Sequence, residues 1–182
     1  MRFSLILRLI ALIVVVAGAV WLGQFAGEHE VLRELVAEFG YVGVFVIAVI
    51  SGFNLAVPVP AAAFVPLMLA GGLSLPIVIA VIVFGVTLSD YLAYAVGKGG
   101  RHLVLTASEK ALSHELVSLH RHHPRMVLFL LFLFAAVAPV PNEIAVIPLA
   151  LVGYRFGEIV FPLLLGNAVF NVGFTIFLLE LF

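Results

Sequence analysis

Ala138-Pro139-Val140-Pro141-Asn142-Glu143 lies inside apolar sequence, with Leu128 to Val137 before it and Ile144 to Val152 after it. Two prolines spaced like this do not fit an uninterrupted helix. Each lacks an N–H, and each disfavours helical geometry in the residue before it. The backbone therefore breaks here, at a depth where lipid offers the freed carbonyls no partner. Broken backbone at membrane depth is tolerated only where it is buried in protein or faces a water-filled cavity. Asn142 and Glu143 follow at once, and an ionisable group at such a place marks a candidate functional site. The competing reading makes Glu143 no more than a favourable negative charge at the start of the second half-helix.

The rest of the chain justifies speaking of membrane depth. Of 182 residues, 64% are hydrophobic and only 10% charged, with a mean hydropathy of +1.29. A soluble domain cannot hide that much apolar surface, so an integral membrane protein is expected. The net charge of −1 suggests no nucleic-acid partner. The chain has no cysteine, which excludes disulfides, thiolate metal sites and cysteine nucleophiles.

Outward from the Pro-Val-Pro, residues 126–153 form an apolar unit, and residues 41–72 form a second one, broken by Pro58-Val59-Pro60 and again at Pro66. About 20 residues span a bilayer once and about 40 span it twice; units of roughly 30 fit neither. Two half-helices of about 12–15 residues, each about 18–22 Å long, fit well. Each unit then reads as a re-entrant helical hairpin with a Pro-Val-Pro at its tip. The two units match. Pro58 and Pro60 answer Pro139 and Pro141, and Pro66-Leu67-Met68-Leu69-Ala70-Gly71 answers Pro148-Leu149-Ala150-Leu151-Val152-Gly153. A spanning helix follows each hairpin, over 75–96 and 160–179, with Pro76 and Pro162 expected in their first turns. The offsets run from 81 to 86 residues, so the chain reads as two copies of hairpin-then-span.

Three segments lie outside the repeat. Leu5 to Leu22, with Arg8 in its first turns, is expected to be a retained transmembrane helix rather than a signal peptide. Gln24 to Phe39 is acidic and carries Leu32, Leu35, Val36 and Phe39 at helical spacing, the pattern of a short surface helix; a plain solvated linker is the alternative. Residues 98–125 form a basic loop with an amphipathic helix expected over 107–121. His120, His122 and His123 there read as a solvated basic end rather than a metal site. The organisation expected is thus residues 1–39 as an amino-terminal helix and external segment. Residues 40–182 form the membrane domain: repeat one at 40–97, the loop at 98–125 and repeat two at 126–182.

Charge gives an orientation. With the amino terminus in the cytoplasm and both hairpins returning to the face they entered from, eight of nine Lys and Arg residues are cytoplasmic and only Arg33 is outside. The copies are then inverted, and their tips meet near the midplane, an architecture of secondary transporters. The half-helix after each tip aims a positive dipole end at the meeting point, where an anionic group would be stabilised. Helix contacts are expected at Gly40 and Gly43, Gly71 and Gly72, and Gly166 and Gly173. Asn167 and Asn171, four apart on the last helix, either line the cavity or bond between helices.

The block Gly85, Ser89-Asp90, Tyr94, Gly97-Lys98 and Arg101 resembles the Gly-Asp…Tyr-x-x-Gly-Arg block of the DedA family, also called VTT or SNARE-associated-Golgi-like membrane proteins. The Pro-x-Pro hairpins are similar too, and the resemblance covers roughly residues 40–182. It implies a lipid-handling transporter of the prokaryotic plasma membrane, moving a lipid or lipid-phosphate headgroup coupled to protons or sodium. The family pattern has a glutamate after the first Pro-x-Pro, where this chain has Ala61 and Ala62. It has arginines in the second hairpin, near what are here Ala136 and Asn142. Glu143 stands as if the acidic tip had moved.

On this reading Glu143 and Asp90 are the coupling carboxylates, since an acid near the midplane has its ionised form disfavoured and can bind a proton. Asn142 and the carbonyls freed at Pro58, Pro60, Pro139 and Pro141 coordinate headgroup or cation. Tyr94 is carried over with Asp90 from the resembling block. Lys98, Arg101 and Arg155 gather anionic headgroups at the cytoplasmic mouth. A bland reading pairs Asp90 with Lys98 or Tyr94, and leaves the three cations as orientation signals. Expected partners are membrane lipids and a coupling ion, with no cofactor, no metal and no nucleic acid; a homo-oligomer is an open option. The rival functions are a small-solute or drug exporter of the same architecture and a non-transporting scaffold. No enzyme is expected, because the apolar segments hold neither a nucleophile-plus-base set nor a metal triad.

Overall fold

A computed structural model describes residues 17–18, 21, 25, 28–52, 60–99, 124–138 and 140–180. Most of the first helix, the tip residues Pro58 and Pro139, Arg101, and the 107–121 helix lie outside the described residues. Within them the chain is all helical. In order come α1 (Glu30–Gly52), a 3-10 turn (Ala61–Phe64) running into α2 (Val65–Ala70), α3 (Leu75–Gly99), α4 (Pro124–Val137), α5 (Glu143–Val152) and α6 (Phe156–Glu180).

Two of these helices, α3 and α6, are long and apolar enough to cross a membrane. At 25 residues each, they reach about 38 Å against a hydrocarbon core of about 30 Å. The others are short apolar pieces: 36–52, 61–70, 125–137 and 143–152. The two pieces that follow the proline breaks have ten residues, fewer than the 12–15 expected, because the extended Pro60 (φ −62°, ψ 130°) and the turn before Glu143 consume chain that would otherwise be helical.

Local signals explain most boundaries. α1 is two helices joined at Gly40, whose φ of 50° and ψ of −148° only glycine adopts without strain. The kink separates the acidic segment from the apolar one at the boundary expected from composition. Of the acidic segment's apolar stripe, Val36 packs inward against Gly71, whereas Phe39 is exposed. Both short second helices end in the same motif. Gly72 (φ 83°) and Gly153 (φ 108°) are left-handed. The next residue bonds back five residues, Leu73 N–H to the Met68 carbonyl at 3.2 Å and Tyr154 N–H to the Leu149 carbonyl at 3.1 Å. Gly153 therefore answers Gly72 in role, not Gly71 as the Pro-Leu-x-Leu-x-Gly alignment expected.

Pro162 was expected in the first turn of its helix but lies in the second. The Glu158 carboxylate accepts the Arg155 backbone N–H at 2.8 Å, so α6 begins at Phe156. Pro148 likewise lies inside α5.

The packing maps onto itself between the two halves. Each long helix packs on the first short helix of its own half, α3 on α1 and α6 on α4. Each also receives the second short segment of the other half, α5 against α3 and the 3-10 turn against α6. A matching glycine sits in each first contact. A Cβ on Gly85 would lie 2.6 Å from Ala48 Cβ and 3.1 Å from the Phe45 carbonyl oxygen. On Gly166 it would lie 2.5 Å from Ala135 Cβ and 2.9 Å from the Phe132 carbonyl oxygen. Of the six glycines expected at contacts, Gly166 and Gly71 serve as such. Gly43 crowds only Phe39 of its own helix, and Gly40, Gly72 and Gly173 have nothing within 4 Å. Gly52, Gly85 and Gly97 supply the other close approaches, against Ser89, Ala48 and Ile147.

Two apolar clusters result. One gathers Val44, Ala62, Val65, Met68, Val78 and Ile82; the other gathers Ala93, Leu131, Val146, Leu149, Ile159 and Leu163. Each uses one half of α3, and the buried polar side chains of α3 and α6 fall between them.

Candidate functional site

Thr87 and Asn167 stand at the centres of α3 and α6, and both are buried. Asn167 Nδ2 donates to Thr87 Oγ1 at 3.1 Å and to Asp90 Oδ2 at 2.8 Å. Its Oδ1 accepts from Asn142 Nδ2 at 2.8 Å, and that same nitrogen donates to Asp90 Oδ2 at 3.2 Å. One turn along α6, Asn171 Nδ2 donates to the Asn167 backbone carbonyl at 2.8 Å. The network thus ties α3, α6 and the residue just before α5 into one polar knot. Asn142 reaches it because the chain leaves helical geometry after Val137 and resumes it at Glu143, which leaves Asn142 as the residue that opens the α5 turn. Its backbone carbonyl accepts the first helical N–H groups, and its side chain, making no cap bond, is free to point inward.

Asp90 is fully buried. Its Oδ2 takes both amide bonds, while Oδ1 has no hydrogen-bond partner among the described residues. Neither reading of Asp90 as a partner of Lys98 or Tyr94 describes it: both its bonds come from asparagines. Tyr94 is buried one turn away and donates to the Tyr154 carbonyl at 2.9 Å. Its ring and that of Tyr91 pack on Phe156, which makes Tyr94 a link between the end of α3 and the α5–α6 turn. At that turn burial, and after it the Glu158 carboxylate, push the Tyr154 phenol above its ordinary value, so the ring stays neutral in its apolar setting.

Glu143 is 1% exposed, in the first turn of α5, and neither of its oxygens has a hydrogen-bond partner among the described residues. It sits beside the knot rather than in it. Ser89 and Thr175 hydroxyls are likewise buried without partners among the described residues. Lys98 and Arg155 are exposed, away from the knot.

A cavity of about 130 Å³ adjoins the network. It is lined by the end of α1 (Ser51, Gly52), by Pro60 and Ala61, by Ala138, Val140 and Pro141, and by Asn142, Asn167 and Asn171. Val86, Phe170 and Phe174 give it an apolar flank. Both proline breaks therefore border one space. It has room for several waters and is smaller than the roughly 300–1,000 Å³ of drug-sized sites.

Sequence reading had Asp90 and Asn142 as separate candidates, one in each repeat; folding brings them within hydrogen-bond distance. It missed Thr87, which looks like any small polar residue in an apolar helix. Of the pair expected on the last helix, Asn167 both bonds across the helices and lines the cavity, whereas Asn171 lines the cavity and bonds only within α6. Among the described residues no cluster of His, Asp or Glu is arranged to hold a metal. No family model, curated protein or solved structure matches this chain.

Proposed function

We propose that the chain is a DedA-like integral membrane transporter, not an enzyme, that carries a lipid headgroup across the bilayer coupled to a proton or cation. In this reading the two short-helix pairs are re-entrant hairpins entering from opposite faces of a prokaryotic plasma membrane, with the amino terminus in the cytoplasm. The observation that carries it is the Asp90–Asn142–Asn167 knot beside a cavity bordered by both proline breaks. A buried carboxylate at the centre of a membrane helix is costly and is kept where it serves a path. The self-matching packing of the two halves supports inverted repeats. A cavity between the two proline breaks favours transport over a scaffold in which the hairpins merely pack, and its volume favours a headgroup or other small solute over a drug-sized substrate.

Reconstituted liposomes carrying a labelled lipid test the reading. Asp90→Asn is expected to slow lipid movement by about tenfold or more, the equivalent of one charge-assisted bond. Glu143→Gln is expected to alter the pH dependence. Wild-type rates and pH profiles in both variants would remove the coupling role.

A further inference from the structure

Oxygen predominates among the polar side chains that line the cavity, and none of them is cationic. Every amide nitrogen of Asn142, Asn167 and Asn171 is directed into the network, toward Asp90, Thr87 and backbone or side-chain oxygens. The side-chain oxygens of the lining are those of the three asparagines and the Ser51 hydroxyl. Asn142 and Asn171 both line it, and the Oδ1 of each accepts no hydrogen bond among the described residues, yet neither oxygen is sealed from the surrounding space. The ends of α1 and α4 also reach it, at Gly52 and Ala138. Helix carboxyl ends bring negative partial charge. The opposite, positive end of α5 is offset by Glu143 in its first turn. No lysine or arginine lines the space, and the described ones at 98, 125 and 155 are exposed.

We infer that this cavity binds a monovalent cation through oxygen ligands, and that it rejects phosphate. A phosphate needs several N–H donors or guanidinium forks; here no lysine or arginine lines the space, and both amide N–H groups of Asn142 and of Asn167 are already used within the network. A hard cation, or an ammonium group, finds amide oxygens, helix-end carbonyls and the Asp90 carboxylate behind them. Because the adjoining network carries one carboxylate among neutral oxygens, a single positive charge is matched. The inference rests on the transport reading for the purpose of the ion, but not for its binding. An alkali ion and the ammonium headgroup of a lipid share this chemistry.

Thermal unfolding of the purified full chain in detergent, at constant ionic strength, separates the possibilities. Sodium, potassium or ethanolamine chloride replacing bulky N-methylglucamine chloride is expected to raise Tm by several degrees and to saturate. Sodium alone doing so identifies an ion site; ethanolamine alone, together with stabilisation in nanodiscs of phosphatidylethanolamine over phosphatidylglycerol, identifies a headgroup site. Asn171→Leu is expected to weaken the apparent affinity by about tenfold or more. Asn171→Lys, which places its own ammonium in the cavity, is expected to fold and to lose the response. Equal Tm in all chlorides, or stabilisation by inorganic phosphate in their place, overturns the inference. A saturable cation shift in a protein that moves no lipid in liposomes would instead overturn the transport reading alone.

Discussion

At the residue scale, Asn167 does more than its neighbours. Its side chain makes three hydrogen bonds, to Thr87, Asp90 and Asn142, and so satisfies groups on two other segments. Interhelical hydrogen bonds within membranes average about 0.6 kcal/mol and seldom exceed about 1.7. Removal also strands buried partners, at about 1–3 kcal/mol for each group left unmet. Asn167→Ala is therefore expected to cost about 2 kcal/mol, read as a fall in Tm or denaturation midpoint. Asn171→Ala loses one bond to a backbone carbonyl and is expected to cost under about 1 kcal/mol. If the two cost the same, the knot does not hold the helices together. Asp90 was legible as a candidate because a carboxylate in an apolar helix is conspicuous. Thr87 was not, because its partner is 80 residues away in the chain.

At the element scale, close helix approach decides the packing, and glycine permits it. Gly166 lets α6 sit against the Ala135 methyl and the Phe132 carbonyl; the second of these is backbone and cannot turn aside. Gly166→Ala is expected to separate α4 from α6 and cost about 1–3 kcal/mol through overpacking. Gly173→Ala, on the same helix with open space around it, is expected to be neutral or to stabilise by up to about 1 kcal/mol through helix propensity. Matching losses in thermal stability for the two variants would argue that helix approach is not what Gly166 supplies. Both glycines looked equivalent in sequence, since each is a small residue in an apolar helix. Only the neighbouring helix distinguishes them. The same holds for Gly71 and Gly72. The first meets Val36, while the second turns the chain with a positive φ.

At the scale of the whole molecule, the prediction concerns sidedness. A chain without cysteine suits single-cysteine labelling by an impermeant maleimide in oriented vesicles. Under the proposed inverted hairpins, Leu55→Cys is expected to label only from outside and Val137→Cys only from inside. Labelling of both from one face would leave the halves matched in packing but not inverted across a membrane. What the sequence settled alone was what needs no distant partner: an apolar, helical chain, its proline breaks, and two long helices after them. Those follow from composition, from proline's missing N–H and from residue spacing, all local properties. The tertiary structure alone decided which polar groups meet. Asp90, Asn142 and Asn167 lie far apart in the chain, and several asparagine, serine and threonine side chains of similar chemistry competed for the same carboxylate. Helix packing, through close contacts at Gly85 and Gly166, chose among them. It also directed the amide nitrogens of Asn142 and Asn167 to oxygens of the network, which no reading of residue types could supply.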